Sequence, residues 1–299
     1  MRSMREISAK SAIRLLCPLT LAKRVLNKLE GKCFDRFYAS AFRLVEEGSL
    51  VVRLAEFDGS FEIDARSHIL ARVFKTGRYE SELAEIVKRY VDSSGDAIDV
   101  GANVGLFSVL LAKLLDAGRH VLAIEPTPPA IKHLRNNIRR NGVNSSVIVF
   151  EGVANDAGGL CVLSVIEGKE EYSSLGGIRH CRVRGEPSRK IEVPGSTIDE
   201  LVEKHGLSPG FIKIDTEGAE CLVIAGAKET IRRHRPVILS EASETLLAGC
   251  NCSSDELFAL LRESQYRILD AYDPRSDATA PFNGDILAIP LERQADSAR

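Results

Sequence analysis

The sequence predicts an α/β fold: a doubly wound, mostly parallel sheet that ends in an antiparallel C-terminal hairpin, preceded by an N-terminal helical and hairpin extension. Three observations predict it. From about residue 95, short apolar runs rich in β-formers alternate with longer amphipathic stretches, the pattern of a parallel sheet covered by helices on both faces. The last two apolar runs, Tyr266 to Ala271 and Asp285 to Ile289, have only a loop rich in Pro, Asp and Asn between them, so they should pair antiparallel. A glycine turn from Gly101 to Gly105 closes the first core strand just before a helix.

In chain order, Val51 to Leu54 and Phe61 to Ile63 flank Asp58-Gly59 and read as a small hairpin, and Glu80 to Tyr90 as a helix leading into the core. The expected strands are Ala97 to Val100, Val121 to Ile124, Ser146 to Phe150, Phe211 to Ile214 and Val237 to Ser240. Helices are expected at Leu106 to Leu115, Ala130 to Asn141, Cys221 to His234 and Asp255 to Ser264; Pro128 and Pro129 precede the second, and Asn141-Gly142 closes it. A connection from Asn155 to Pro209 is long enough to need structure of its own, with strand-like pieces at Cys161 to Val165 and Lys190 to Val193 and a helix at Thr197 to His205. The domain reading is residues 1–75 as the extension and 76–292 as the main domain, with 155–209 as an insert.

At 299 residues, 44% hydrophobic and 27% charged, the chain has the composition of an ordinary globular protein. A formal net charge of −2 argues against a nucleic-acid partner, which would need a strongly basic field. Residues 1–43 nevertheless hold ten Lys/Arg against three Asp/Glu, a local charge of +7. They read as a basic helical arm that lies either on an anionic membrane or partner, or against the core with its basic face solvated. The apolar run Leu15 to Ala22 is too short to span a bilayer and is followed by Lys23 and Arg24, not by a cleavage pattern, so the expected location is cytoplasmic, with peripheral membrane contact through this arm. Seven cysteines, odd in number and without a C-x-x-C pair, suggest free thiols in a reducing compartment; the close pair Cys250 and Cys252 has no partners that would make it a metal site.

The central motif is Asp99-Val100-Gly101-Ala102-Asn103-Val104-Gly105, followed by Glu125 at the end of the next strand, twenty residues after Gly105. An acid so placed can accept both hydroxyls of a ribose. The two glycines stand four apart, unlike the dinucleotide fingerprint, which suits a ligand with no pyrophosphate. S-adenosylmethionine is such a ligand, and Asp99 is an expected partner for its ammonium group. Glu151-Gly152-Val153-Ala154 ends the third strand, where adenine would lie. This pattern and the antiparallel tail are those of a class I methyltransferase, a Rossmann-like fold.

The residues resemble the FkbM-type methyltransferases over about 76 to 290. The resemblance rests on Gly77-Arg78-Tyr79-Glu80, Asp99 to Gly105, Ile124-Glu125-Pro126, Ser196-Thr197-Ile198-Asp199-Glu200-Leu201 and, most specifically, Ile212-Lys213-Ile214-Asp215-Thr216-Glu217-Gly218-Ala219-Glu220. Thr216 stands where the family commonly has an aliphatic residue. The resemblance implies O-methylation of a hydroxyl on a sugar, glycolipid or polyketide-like small molecule. It also implies that Glu80, Ala102, Asn103, Pro126, Gly152, Val153 and Ala154 join Gly101, Gly105 and Glu125 around the donor.

Ligands of open α/β sheets lie at the carboxyl ends of the strands, so Asp215 and Glu241 should face the transferred methyl, with Glu217 just beyond. Methyl transfer to a hydroxyl needs alignment and removal of a proton. Asp215 is the first choice for that task and Glu241 the second; Glu217 is a candidate for catalysis or for capping the next helix. Two acids at adjacent strand ends could instead hold a divalent cation, although no His or Cys pattern supports a metal. The six histidines form no triad. Arg179, Arg182, Arg184, Arg189 and Lys190 in the insert read either as a substrate flap or as a solvated hairpin. Two competing classes remain: a nicotinamide-dependent oxidoreductase, opposed by the glycine spacing and tail, and a catalytically silent adenosyl-binding scaffold, opposed by the presence of all five acids.

Overall fold

The computed structural model describes Ile7 and Ser8, residues 48–183 and residues 185–294. Most of the basic segment 1–43 lies outside these. The two residues of it that are described, Ile7–Ser8, form a strand (β1) and not a helix, and pair parallel with β2 (Ser49–Leu54). β2 and β3 (Gly59–Asp64) make the expected hairpin, in register Leu54↔Gly59, with Asp58 in the left-handed region at the turn.

Next come α1 (His68–Thr76), which the sequence reading did not include, and α2 (Ser81–Tyr90). Ser67 caps α1 through Ile69 N–H, and Gly77 ends it at φ 82°. The core then runs β4 (Asp96–Val100), α3 (Leu106–Leu114), β5 (Val121–Ile124), α4 (Pro128–Arg140) and β6 (Val147–Phe150). Pro128 and Pro129 are the first residues of α4, where a missing N–H costs nothing.

The long connection holds a separate small sheet, in which β9 (Arg189–Ser196) lies between β7 (Val153–Ala154) and β8 (Gly159–Val165). It then enters α5 (Ile198–His205) through a capping box, Thr197 and Glu200 each accepting the other's backbone N–H. After β10 (Pro209–Ile214), the single helix expected at Cys221 to His234 is instead α6 (Glu220–Ala225) and α7 (Lys228–His234). The cause is tertiary: Asp199 of α5 donates its N–H to the Gly226 carbonyl at 3.0 Å, while its carboxylate caps α7 through the N–H groups of Glu229 and Thr230. β11 (Val237–Ser243), α8 (Glu244–Leu247), α9 (Ser254–Glu263), β12 (Tyr266–Asp270) and β13 (Asn283–Pro290) complete the chain.

The main sheet has seven strands in the order β12-β13-β11-β10-β4-β5-β6, parallel except for β13, which is antiparallel to both neighbours. The strand order turns back between β4 and β10, and this is where a ligand crevice is expected. Each face of the sheet has its own apolar core. One joins Phe57, Phe61 and Phe107 with α1, α2 and α3, so the hairpin shares the main core; Phe57 meets Phe107 edge-on at 5.0 Å. The other is built from Ile98, Ile212, Ile238 and Phe258. Buried Asn137 of α4 ties the first side together: its side chain accepts from Glu62 N–H and donates to the carbonyls of Glu62 and Val104. Cys221 and Cys252 are joined as a disulfide, Cα–Cα 6.6 Å, which corrects the expectation of free thiols; Cys250 stays free, so it and Cys252 form no pair with each other. Among the described residues no helix is long and apolar enough to cross a membrane.

Candidate active site

A cavity of about 530 Å³ opens at the carboxyl ends of β4, β5, β10 and β11. The turn after β4 gives it Gly101, Ala102 and Asn103; β5 and the residues after it give Glu125 and Pro126; the end of β6 gives Gly152, Val153 and Ala154. Glu80, Asp215, Glu217 and Glu241 line it too, so the structure gathers most of the expected residues on one surface.

Two of them stand elsewhere. Asp99 is 1% exposed and lies behind the wall, where Oδ2 accepts from Ser108 Oγ at 2.6 Å and Oδ1 has no partner. Its place as a direct ammonium partner is therefore corrected to a buried charge beneath the turn. Gly105 also stays off the wall: at φ 86° it faces Leu134 of α4, and a Cβ there would strike that side chain. The need for Gly101, at φ 78°, is likewise internal, because a Cβ would collide with the Asp215 carbonyl. The glycines let chain segments meet, and the ligand surface follows from that contact.

Glu125 is 5% exposed. One carboxylate oxygen accepts from Asn103 N–H at 2.8 Å, the other from Thr127 N–H at 2.9 Å and Thr127 Oγ at 2.5 Å. Burial raises its pKa and these hydrogen bonds oppose the rise, holding the side chain rigidly at the rim of the turn.

The acid side of the cavity is organised by Lys213, which the sequence reading left without a role. Its side chain is buried on β10, lies over the Phe107 ring at 4.8 Å and donates to Asp215 Oδ2 at 3.0 Å. Burial alone would lower its pKa, but Asp215, Asp99 and Glu80 hold it raised, so it stays cationic. Asp215 keeps its other oxygen free, with a side chain 41% exposed. Around it, burial and like charge push the other carboxyls up: Glu217 to about 9, Glu80 to about 7 and Asp285 to about 6, with Glu241 raised by burial and by Asp215, Glu217, Glu220 and Asp285. These shifts favour the protonated forms of Glu217 and Glu241 and leave Asp215 as the better-placed acceptor of a proton. Glu217 does not cap the next helix. That helix has no side-chain cap; Glu220, its first residue, instead ties down the preceding turn, accepting from Thr216 N–H and Oγ and from Gly218 N–H.

Sequence reasoning also missed what the tail and the insert contribute. Asp285 lies directly opposite Glu241 in the β11–β13 register and accepts from Tyr272 OH at 2.6 Å, so the antiparallel hairpin supplies both groups to the cavity. The insert folds over the site: Ser174 Oγ donates to the Glu217 carbonyl, and Glu171 accepts the His68 N–H at the start of α1. Among the described residues no three His, Cys, Asp or Glu side chains converge in a metal-holding group.

The sheet order, the antiparallel tail and a cleft at the switch point define a class I methyltransferase fold. The Methyltransferase FkbM domain matches residues 99–268, more than half of the chain, and this chain belongs to the FkbM methyltransferase family. Solved structures similar to it include a methyltransferase FkbM from Methylobacillus flagellatus KT, at 16% identity over 94% of this chain with a TM-score of 0.42; this chain spans 60% of that one. An O-methyltransferase from Bacillus cereus in complex with SAH is 15% identical over 70% of this chain and 78% of its own, TM-score 0.36. Aeropyrum pernix fibrillarin with natively bound S-adenosyl-L-methionine is 12% identical over 81% of this chain and 83% of its own, TM-score 0.40. At these identities and scores the family assignment rests on the domain match.

Proposed function

We propose that the protein transfers a methyl group from S-adenosylmethionine to a hydroxyl of a sugar, glycolipid or polyketide-like small molecule. The observation that carries this reading is one open carboxylate, Asp215, held by Lys213 at the carboxyl end of β10 in the cavity that Glu217 and Glu241 also line. The cavity suits the donor in size: about 530 Å³ is within the range of small-molecule sites. When bound, the donor supplies an electrophilic methyl group. Gly101 to Asn103 and Glu125 would hold its ribose side, with Glu125 accepting from the hydroxyls, and Gly152 to Ala154 would border the adenine.

Asp215 would orient the acceptor hydroxyl and take its proton through the oxygen not bonded to Lys213. Lys213 fixes the geometry of that oxygen, and protonated Glu217 and Glu241 can donate to the acceptor without competing for the proton. Two experiments test the reading. Calorimetry should register S-adenosylmethionine and its demethylated product, and no nicotinamide dinucleotide. Labelled donor incubated with glycolipid, polysaccharide and small-molecule fractions should leave base-stable label in one pool; label in none of them overturns the hydroxyl assignment.

A further inference from the structure

The cavity is bipolar. Its floor is acidic, but its outer wall carries Arg72 of α1, Arg78 just after that helix and Arg182 of the insert, three exposed cations from separate stretches of chain. Elsewhere on the molecule, arginines such as Arg66, Arg135, Arg235 and Arg267 sit against carboxylates. Arg72, Arg78 and Arg182 have no carboxylate within ion-pair distance among the described residues. Acids that share the cavity with them are held by backbone, Glu171 by His68 N–H and Glu170 by Gly168 N–H, while Glu217 feels the charge of Arg182 without pairing with it.

Arg72 and Arg182 meet rings. Arg72 lies 5.5 Å from the centre of the Tyr79 ring, and Arg182 contacts the His68 ring. Tyr172 stands between His68 and His180, at 6.2 and 4.6 Å from ring to ring. Burial, then Arg182, Arg72 and His180, push His68 down to about 4, so it is a neutral acceptor for Arg182 and adds no charge of its own. Of the insert's basic residues, Arg184 lies outside the described residues, Arg179 packs at Gly249, and Arg189 and Lys190 lie exposed on β9 away from the cavity, so among the described residues the flap reading narrows to Arg182.

We propose that the methyl acceptor carries an oxyanion, a phosphate or a carboxylate, gripped by Arg72, Arg78 and Arg182 while its hydroxyl reaches Asp215. The proposal rests on the methyltransferase reading and specifies its acceptor. Guanidinium groups bind such anions through paired, charge-assisted hydrogen bonds. The separation of arginine wall from acid floor would then fix which end of the acceptor enters first, because the cations free to pair with its anion all stand on the wall.

The test uses the full protein, alone and loaded with S-adenosylhomocysteine, titrated calorimetrically with glucose 6-phosphate, glucuronate and glucose. The three share a scaffold and differ in charge. One or both anions should bind at least about tenfold tighter than glucose, more weakly as salt rises. The double variant Arg72→Gln/Arg182→Gln should lose roughly ten- to a hundredfold of that affinity while binding S-adenosylhomocysteine like the parent. Preference for the phosphate or for the carboxylate identifies the source. Equal binding of glucose and the anions, no binding of either anion, or anion binding unchanged in the double variant overturns the proposal. Failure to bind S-adenosylhomocysteine overturns the donor reading instead, and is read separately.

Discussion

Asp215 and Glu217 are two residues apart, yet their surroundings differ. Asp215 is open to the cavity and paired with Lys213, whereas Glu217 is enclosed and pushed up to about 9. Replacing Asp215 with Asn should therefore lower turnover by roughly a hundred to ten thousand fold while leaving donor affinity nearly unchanged. Full turnover in a folded Asp215→Asn protein would sink its role as base. Glu217 makes a prediction about stability. Its folded-state value lies above its ordinary one, so the folded protein holds a proton that the unfolded chain releases, and stability falls as pH rises from about 4.5 to about 9. Glu217→Gln removes that titration, and its melting temperature relative to the parent should rise between pH 5 and pH 8. A pH-independent difference would mean that Glu217 is not held protonated.

Elements meet at the site through side chains far from the chemistry. Asn137 of α4 satisfies a donor and an acceptor on Glu62 of β3 and the carbonyl of Val104 in the cofactor turn. Asn137→Ala leaves these groups buried without partners and should cost about 3 kcal/mol in denaturant unfolding. Because Val104 follows Asn103, whose N–H holds Glu125, the same change should weaken donor binding. A cost below about 1 kcal/mol with donor affinity intact would show that the hairpin and the turn are independent. Asp199 acts similarly on the other side, setting the break between α6 and α7.

For the molecule as a whole, the cavity draws its walls from both ends of the described chain, from α1 near the start to Tyr272 and Asp285 near the end. A ligand held there should stabilise the global fold. S-adenosylhomocysteine at a hundred times its Kd is expected to add about 2.7 kcal/mol, a rise of several degrees in Tm. Glu125→Ala should abolish most of that shift at the same concentration, since its carboxylate would meet both ribose hydroxyls. An unchanged shift in the variant would remove Glu125 from the donor site.

The sequence by itself determined the layered sheet, its antiparallel ending, the small hairpin and the turn with Glu125 behind it. Those features are written in local periodicity, in proline and glycine positions and in fixed spacings, all of which act over a few residues. It also placed Asp215 correctly at a strand end. Only the tertiary structure decided where each acid lies and what it touches. Asp99 fell behind the wall and Glu217 capped no helix, because burial and hydrogen bonding depend on segments far apart in the chain. The partners of the site were invisible for the same reason: Asp285 faces Glu241 only through strand register, and Arg72 and Arg182 share a wall only because the insert folds back over α1. A pairing across 44 or 110 residues leaves no periodic mark in sequence, and it becomes definite only when the sheet and its cover are assembled.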